Sequence, residues 1–159
     1  MSNRLVLASA GAGKSQKIAN NALELLKNKD KKILILTYTE NNQKEILKKI
    51  CKKERYLPSN VAIKGWFSFL LEDLIRPYQN FIFEKRISGV FFNQFDPHKR
   101  NGRTIYGRAE KTQNEYNKLH YLTKVGNRVH TTFISKLASR IIKESGGKPL
   151  ARIGQIYDS

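Results

Sequence analysis

The sequence predicts an α/β fold in which a parallel sheet carries helices on both faces. A short apolar run, Leu5-Val6-Leu7, precedes a glycine-rich loop and then a helical pattern. Two further apolar runs, at 33–36 and 61–63, are each followed by residues with helical spacing. Strand and helix therefore alternate, as they do in a parallel sheet whose strands are joined by helices.

The loop after the first run has the phosphate-binding P-loop pattern, in which a small residue and four variable positions precede Gly-Lys-Ser. Gly11 and Gly13 permit a tight curl, and the helix N-terminus adds partial positive charge. Lys14 is expected to reach the β- and γ-phosphates, and the Ser15 hydroxyl to bind Mg²⁺. The alternative is an ordinary strand-to-helix turn. The predicted nucleotide-binding residues are Ala8, Ser9, Ala10, Gly11, Ala12, Gly13, Lys14 and Ser15, of which Lys14 and Ser15 are also the predicted catalytic residues.

The next elements follow from apolar spacing. A helix up to about Lys27 is predicted from apolar residues at helical spacing, which are Ile18, Ala22, Leu25 and Leu26. The continuous apolar run at 33–36 is typical of a parallel strand buried on both faces. After Thr37-Tyr38-Thr39, either Asn41 or Asn42 can cap a second helix, which Pro58 ends.

A third strand is predicted at 61–63, followed by an amphipathic helix from Trp66 to Leu74 that stops before Pro77. Beyond residue 77 the alternation fails, and we expect a basic insertion that is mostly helical or irregular. A helix at 134–142 and a short element at 153–157 follow. The predicted organisation is a half-domain at 1–77, the insertion at 78–132 and a terminal segment at 133–159.

Composition limits the class of protein. The 159 residues include 30 Lys or Arg and 13 acidic residues, a formal charge of +17, which favours a polyanionic partner such as nucleic acid. The segment 98–130 alone has eight basic and two acidic residues with tyrosines among them. A single cysteine, Cys51, fits a reducing cytoplasm. No apolar run could span a bilayer, and the three histidines lack the spacing of zinc ligands.

Three segments together resemble the N-terminal, RecA-like motor domain of UvrD/Rep-type superfamily 1 DNA helicases, which is a P-loop NTPase. Residues 8–15 resemble motif I of that family, and 36–41, Leu-Thr-Tyr-Thr-Glu-Asn, resemble motif Ia. Residues 65–69, Gly-Trp-Phe-Ser-Phe, are similar to its Thr-x-His-Ser-Phe segment, although Gly65 and Phe67 replace Thr and His. Residues 144–158 resemble, more weakly, the segment that leads to motif II of that family.

The resemblance implies ATP and Mg²⁺ as cofactors, single-stranded DNA as partner and a second motor domain elsewhere in the full-length protein. It also implies DNA contacts after the second and third strands, where hydroxyls and amides hold phosphates and aromatic rings stack on bases. The alternatives are Thr capping at 37–39, and core packing for Trp66 and Phe69. The implied DNA-binding residues are Thr37, Tyr38, Thr39, Asn41, Trp66, Ser68 and Phe69.

Hydrolysis in such an ATPase needs a carboxylate that holds Mg²⁺ through water and one that orients the attacking water. Glu72 and Asp73 stand in the reverse of the family order and continue a helical pattern, so we expect a helix there. Asp158 resembles a residue that lies just before the motif II strand. We therefore expect the chain to stop before that motif, to lack the second motor domain, and to be inactive by itself.

Two functions from other classes remain open. A small P-loop kinase or nucleotide switch without a DNA role would need a second carboxylate or a basic lid, and it does not explain the charge. A non-enzymatic nucleic-acid-binding module would have a relic P-loop. Nucleotide binding measured with and without Lys14 separates this module from the other two.

Overall fold

The computed structural model describes residue 9, residues 11–28 and residues 30–157. These residues form two compact units: one extends to residue 65 and includes residues 156 and 157, and the other comprises residues 66–155. The division at residues 77 and 132 remains a prediction about domain organisation. Each unit is described by itself.

The first unit alternates helices and strands. Its elements are α1 (Lys14–Leu25), β1 (Ile33–Thr37), α2 (Glu40–Glu54) and β2 (Val61–Gly65). The two strands pair in parallel, with Ile33 opposite Val61 and Thr37 opposite Gly65. The α/β prediction is confirmed at this level, while the predicted strand at 5–7 lies outside the described residues.

The core of the first unit lies between the helices and the strand pair. Its buried residues are Ala19, Ala22, Ile33, Ile35, Ile46, Ile50 and Val61. Two details of the predicted pattern are wrong. Ile18 and Leu25 are 41% and 44% exposed, so α1 packs instead through its alanines and through Leu23 and Leu26. Burial alternates along β1, and Leu36 is exposed, so the strand is not buried on both faces.

The second unit begins with a helical segment that changes its winding twice. Its parts are α3 (Trp66–Phe69), a π-helix (Leu70–Ile75) and a 3₁₀-helix (Arg76–Phe81). The predicted helix at 66–74 is confirmed, but helical winding continues past Pro77. Proline is tolerated there because backbone N–H groups in the first turn of a helix have no partner within the helix. The N–H that proline lacks therefore costs no helical hydrogen bond.

Short strands and turns follow. The elements are β3 (Gly89–Phe91), β4 (Lys99–Arg100), β5 (Arg103–Thr104), β6 (Lys111–Thr112), β7 (Glu115–Tyr116), α4 (Lys118–Tyr121) and β8 (Arg128–His130). β4 pairs with β5 and β6 with β7 in antiparallel hairpins, while β3 and β8 are parallel. The sequence predicts an insertion that is mostly helical or irregular, and the second alternative holds. Within 82–130, whose residues are all described, α4 is the one α-helix and the strands are short.

The chain continues with a 3₁₀ turn (Thr131–Phe133), α5 (Ile134–Glu144) and α6 (Lys148–Tyr157), of which the part up to residue 155 belongs to the second unit. The predicted helix at 134–142 is confirmed. α5 buries its apolar stripe, namely Ile134, Leu137, Ala138 and Ile141, and packs on the π-helix and the 3₁₀-helix of the same unit. Among the described helices, none is long and apolar enough to cross a membrane.

Candidate functional site

The glycine loop turns sharply into the start of α1. Gly11 and Gly13 have φ of 78° and 72°, in the left-handed region that side chains with a Cβ rarely adopt. The amide of Ala12 donates to the carbonyl of Ser9 at 3.3 Å, which closes the turn. An added Cβ at either glycine would meet no atom of the described residues within 4 Å, whereas the positive φ at both positions favours glycine. Ala8 and Ala10 lie outside the described residues.

The N-terminus of α1 is suited to an anion. Gly13 is its N-cap and supplies no side-chain hydrogen bond, and the first turn contains no acidic residue. The first amides of a helix lack partners within the helix, and the macrodipole adds partial positive charge at the same end. A phosphate is a ligand that such an end accepts.

Lys14, the first residue of α1, reaches back over the loop. Its Nζ donates to the carbonyl oxygen of Ser9 at 2.6 Å, and the residue is exposed. The Lys14 ammonium therefore lies against the loop that contains Gly11 and Gly13. The lysine, the loop amides and the helix end together supply the positive charge that a phosphate chain requires.

Ser15, the second residue of α1, is connected to α2. Its hydroxyl donates to Oε2 of Glu45 at 3.0 Å, and Oε1 of Glu45 accepts from Nζ of Lys49 at 2.5 Å. The hydrogen bonds from Lys49 and from Ser15 lower the pKa of Glu45, so the carboxylate is charged at neutral pH. Sequence reasoning missed Glu45, because 30 residues separate it from Ser15 and no motif used here includes it.

These residues fit Mg²⁺ and a nucleotide. Mg²⁺ prefers oxygen ligands and usually keeps several waters, and in P-loop sites a Ser or Thr hydroxyl binds it beside the substrate phosphates. Ser15 provides that oxygen, and Gly11 and Gly13 are both exposed. In the part of the chain that the structure describes, no group of three or more His, Cys, Asp or Glu side chains could hold a metal.

The turn after β1 contains the residues expected to contact DNA. Thr37 is buried, and its hydroxyl donates to the carbonyl of Thr39 at 3.2 Å. Thr39 caps α2 by accepting from the amide of Asn42 at 3.3 Å, so the predicted capping by Asn41 or Asn42 is wrong. Tyr38 is 71% exposed, and Asn41 is exposed in the first turn of α2. Tyr38 and Asn41 therefore have accessible side chains, while the two threonines also order the turn.

The residues after β2 that are expected to contact DNA differ in how exposed they are. Phe69 is buried, and its ring lies 6.1 Å from that of the half-buried Trp66, which favours core packing for Phe69. Ser68 is exposed. At Gly65, an added Cβ would come within 2.8 Å of Nε2 of Gln43. A larger residue at this position, such as the threonine of the resembled family, would require only that the flexible end of Gln43 shift.

The acidic residues at 72 and 73 lie in the π-helix rather than at a strand end, as the sequence pattern predicts. Asp158, the other acidic residue considered for the site, lies outside the described residues.

A second polar cluster lies within the second unit. Glu110 accepts from Lys136 Nζ at 2.9 Å, from Arg140 Nε at 2.8 Å and from the hydroxyl of the buried Tyr121. Burial by itself raises the pKa of Glu110, but these hydrogen bonds outweigh it and lower the pKa to about 2. His120 is buried nearby, and burial lowers its pKa. Through these side-chain contacts Glu110 connects the segment before β6 to α4 and α5.

One family model matches the chain. The model of the family described as UvrD/REP helicase N-terminal domain matches residues 1–146. No curated protein and no solved structure matches the chain significantly.

Proposed function

The chain belongs to the UvrD/REP helicase N-terminal domain family, and from this premise we propose that it is the ATP-binding part of an ATP-dependent DNA helicase. In this proposal it has the RecA-like fold of a P-loop NTPase, and binds ATP with Mg²⁺ as well as single-stranded DNA. The observation that carries the nucleotide site is the loop at Gly11–Ser15. Two left-handed glycines precede a lysine and a serine at an uncapped helix start.

The chain's own residues divide the work of holding the nucleotide. The loop amides and the start of α1 bind the phosphate oxygens, and Lys14 neutralises their charge. Lys14 already reaches across the loop to the Ser9 carbonyl, so a change of partner brings its ammonium to a phosphate. The Ser15 oxygen is the protein ligand for Mg²⁺. Bound Mg²⁺-ATP supplies the phosphoanhydride whose cleavage provides free energy for movement along DNA.

For DNA, the proposal uses the turn after β1. The exposed Tyr38 presents an aromatic face, and the neighbouring Asn41 presents an amide. Stacking on bases and hydrogen bonding to phosphates are the contacts that single-stranded DNA accepts without sequence preference. Thr37, Thr39, Trp66, Ser68 and Phe69 remain proposed contributors, with the hydroxyls of the two threonines already bonded within the chain. The remainder of the helicase and a cytoplasmic location belong to the same proposal.

Nucleotide binding by a Lys14→Ala variant tests the proposal. Binding of ATP with Mg²⁺ is measured by calorimetry for the native chain, for Lys14→Ala and for the control Lys17→Ala. Lys17 is an exposed lysine of the same helix, so both variants lose one positive charge from α1. We expect Lys14→Ala to abolish measurable binding and Lys17→Ala to retain it. Equal binding by all three proteins would contradict the nucleotide site.

A further inference from the structure

Glu45 connects the nucleotide loop to the helix that follows the proposed DNA-binding turn. One carboxylate oxygen accepts from the Ser15 hydroxyl at 3.0 Å and the other accepts from Lys49 at 2.5 Å. The Glu45 side chain is 49% exposed, so it is not required for the core. Both oxygens are nevertheless occupied, and the carboxylate is therefore held in one orientation.

This hydrogen bond determines which way the serine oxygen faces. A serine hydroxyl has one hydrogen and two lone pairs. Because Glu45 accepts the single hydrogen, both lone pairs remain for a cation. A carboxylate acceptor also makes the hydroxyl oxygen a better electron donor, as partners beyond the direct ligands do in metal sites. A neutral acceptor or water would orient the hydroxyl less strongly.

We propose that Glu45 is a positioning residue for Mg²⁺ at the nucleotide site, acting through the Ser15 hydroxyl. The proposal rests on the proposed function, because it requires that Ser15 bind Mg²⁺ beside a nucleotide. Glu45 itself does not touch the metal in this proposal. Lys49 holds the far oxygen of Glu45, and the pair Glu45–Lys49 lies one turn apart on α2.

The same contact joins the two proposed sites. α2 begins at Glu40 and is capped by Thr39, the last residue of the turn after β1. Glu45 follows six residues later, about 9 Å along a helix that rises 1.5 Å per residue. One helix therefore carries both the Glu45 carboxylate and the end of the proposed DNA-binding turn.

The experiment compares binding of a non-hydrolysable ATP analogue in excess MgCl₂ and in EDTA. The proteins are the native chain, Glu45→Ala, Ser15→Ala, the double variant and Glu54→Ala as control. Glu54 lies at the other end of α2 and is exposed, so its variant loses the same charge from the same helix. Circular dichroism checks that each variant retains its helices.

We expect Glu45→Ala to reduce the strengthening of binding by Mg²⁺ about tenfold or more, the usual effect of removing a partner of a metal ligand. Its affinity in EDTA should equal that of the native chain. In the Ser15→Ala background the same substitution should have no further effect, since it acts through that hydroxyl. Glu54→Ala should behave as the native chain.

Three outcomes would overturn the inference. Glu45→Ala could keep the native Mg²⁺ effect, could weaken binding equally with and without Mg²⁺, or could add its full effect in the Ser15→Ala background. Any of these, with Lys14-dependent binding intact, leaves the proposed function standing and removes only the role of Glu45. If the native chain binds no analogue in either buffer, the proposed function itself fails.

Discussion

Thr39 shows how one side chain can belong to both a turn and a helix. Its hydroxyl accepts from the amide of Asn42 at 3.3 Å, and its carbonyl accepts from the Thr37 hydroxyl at 3.2 Å. We predict that Thr39→Ala lowers the free energy of unfolding by about 1 kcal/mol, the typical cost of losing an N-cap. Thr39→Ser keeps the hydroxyl and should lose much less. Urea denaturation of the three proteins measures the difference.

If both variants lose the same stability, the cap contributes nothing and the methyl group of Thr39 is what matters. The effect on DNA is separate. Thr39→Ser keeps the hydroxyl that the proposal uses for a phosphate contact, so its affinity for single-stranded DNA should remain close to that of the native chain.

At the scale of residues, the sequence predicts which residues have a functional role better than it predicts which residues contact one another. A tight curl of the backbone is predicted at Gly11 and Gly13, and both residues have positive φ. The cap is Thr39 rather than Asn41 or Asn42, because the N-cap is the last residue with extended backbone before the helix, and Thr39 holds that position. Glu45 could not be predicted, since only the pairing of two helices brings it to Ser15.

At the scale of elements, the hairpin β4–β5 contains a signal that the apolar pattern does not reveal. Its two turn residues are Asn101 and Gly102, with φ of 50° and 75°. An Asn-Gly pair with positive φ at both positions is the preferred two-residue hairpin turn. The β6–β7 hairpin uses Gln113 and Asn114, also at positive φ. A search for turn residues rather than helical spacing would have predicted the first hairpin and not the second.

Glu110 joins the segment before β6 to α5, and its low pKa makes stability depend on pH. The folded pKa is about 2, below the ordinary value of 4.5, so the unfolded chain binds more protons between these values. The stabilisation is therefore complete above about pH 4.5 and is lost as the pH falls toward 2. A shift from 4.5 to about 2 corresponds to at most about 3 kcal/mol.

We predict that Glu110→Gln flattens the loss of stability between pH 4.5 and pH 2. Denaturation midpoints for the native chain and the variant, measured across that range, test this. Glu115→Gln is the matched control, because Glu115 is an exposed residue of β7. Parallel pH profiles for the native chain and Glu110→Gln would show that the cluster around Glu110 does not control acid stability.

At the scale of the whole molecule, the fold can be predicted where strands and helices alternate and each has a clear apolar period. From 33 to 65 each apolar run is a strand and each helical pattern is a helix, since both periods can be read along the chain. Beyond residue 81 the strands have two or three residues, too few for a periodic pattern. There, contacts distant in sequence decide the structure, such as the parallel pairing of β3 with β8.

The formal charge of +17 is the property of the whole chain that bears most directly on DNA. Binding to single strands releases counterions, and the logarithm of affinity falls with the logarithm of salt concentration by about 0.7 per neutralised phosphate. The hairpin β4–β5 presents three exposed basic residues, Lys99, Arg100 and Arg103. If each neutralises one phosphate, together they account for about 2 units of that slope.

We therefore predict that replacing Lys99, Arg100 and Arg103 by glutamine reduces the salt slope of single-stranded DNA binding by about 2. The control replaces Lys48, Lys52 and Lys53, three exposed lysines of α2, and removes the same charge. Fluorescence anisotropy of a labelled oligonucleotide at several salt concentrations measures all three proteins. A reduced slope in the hairpin variant alone identifies the hairpin as a DNA contact. Equal reductions in both variants would mean that diffuse charge, rather than this hairpin, holds the strand.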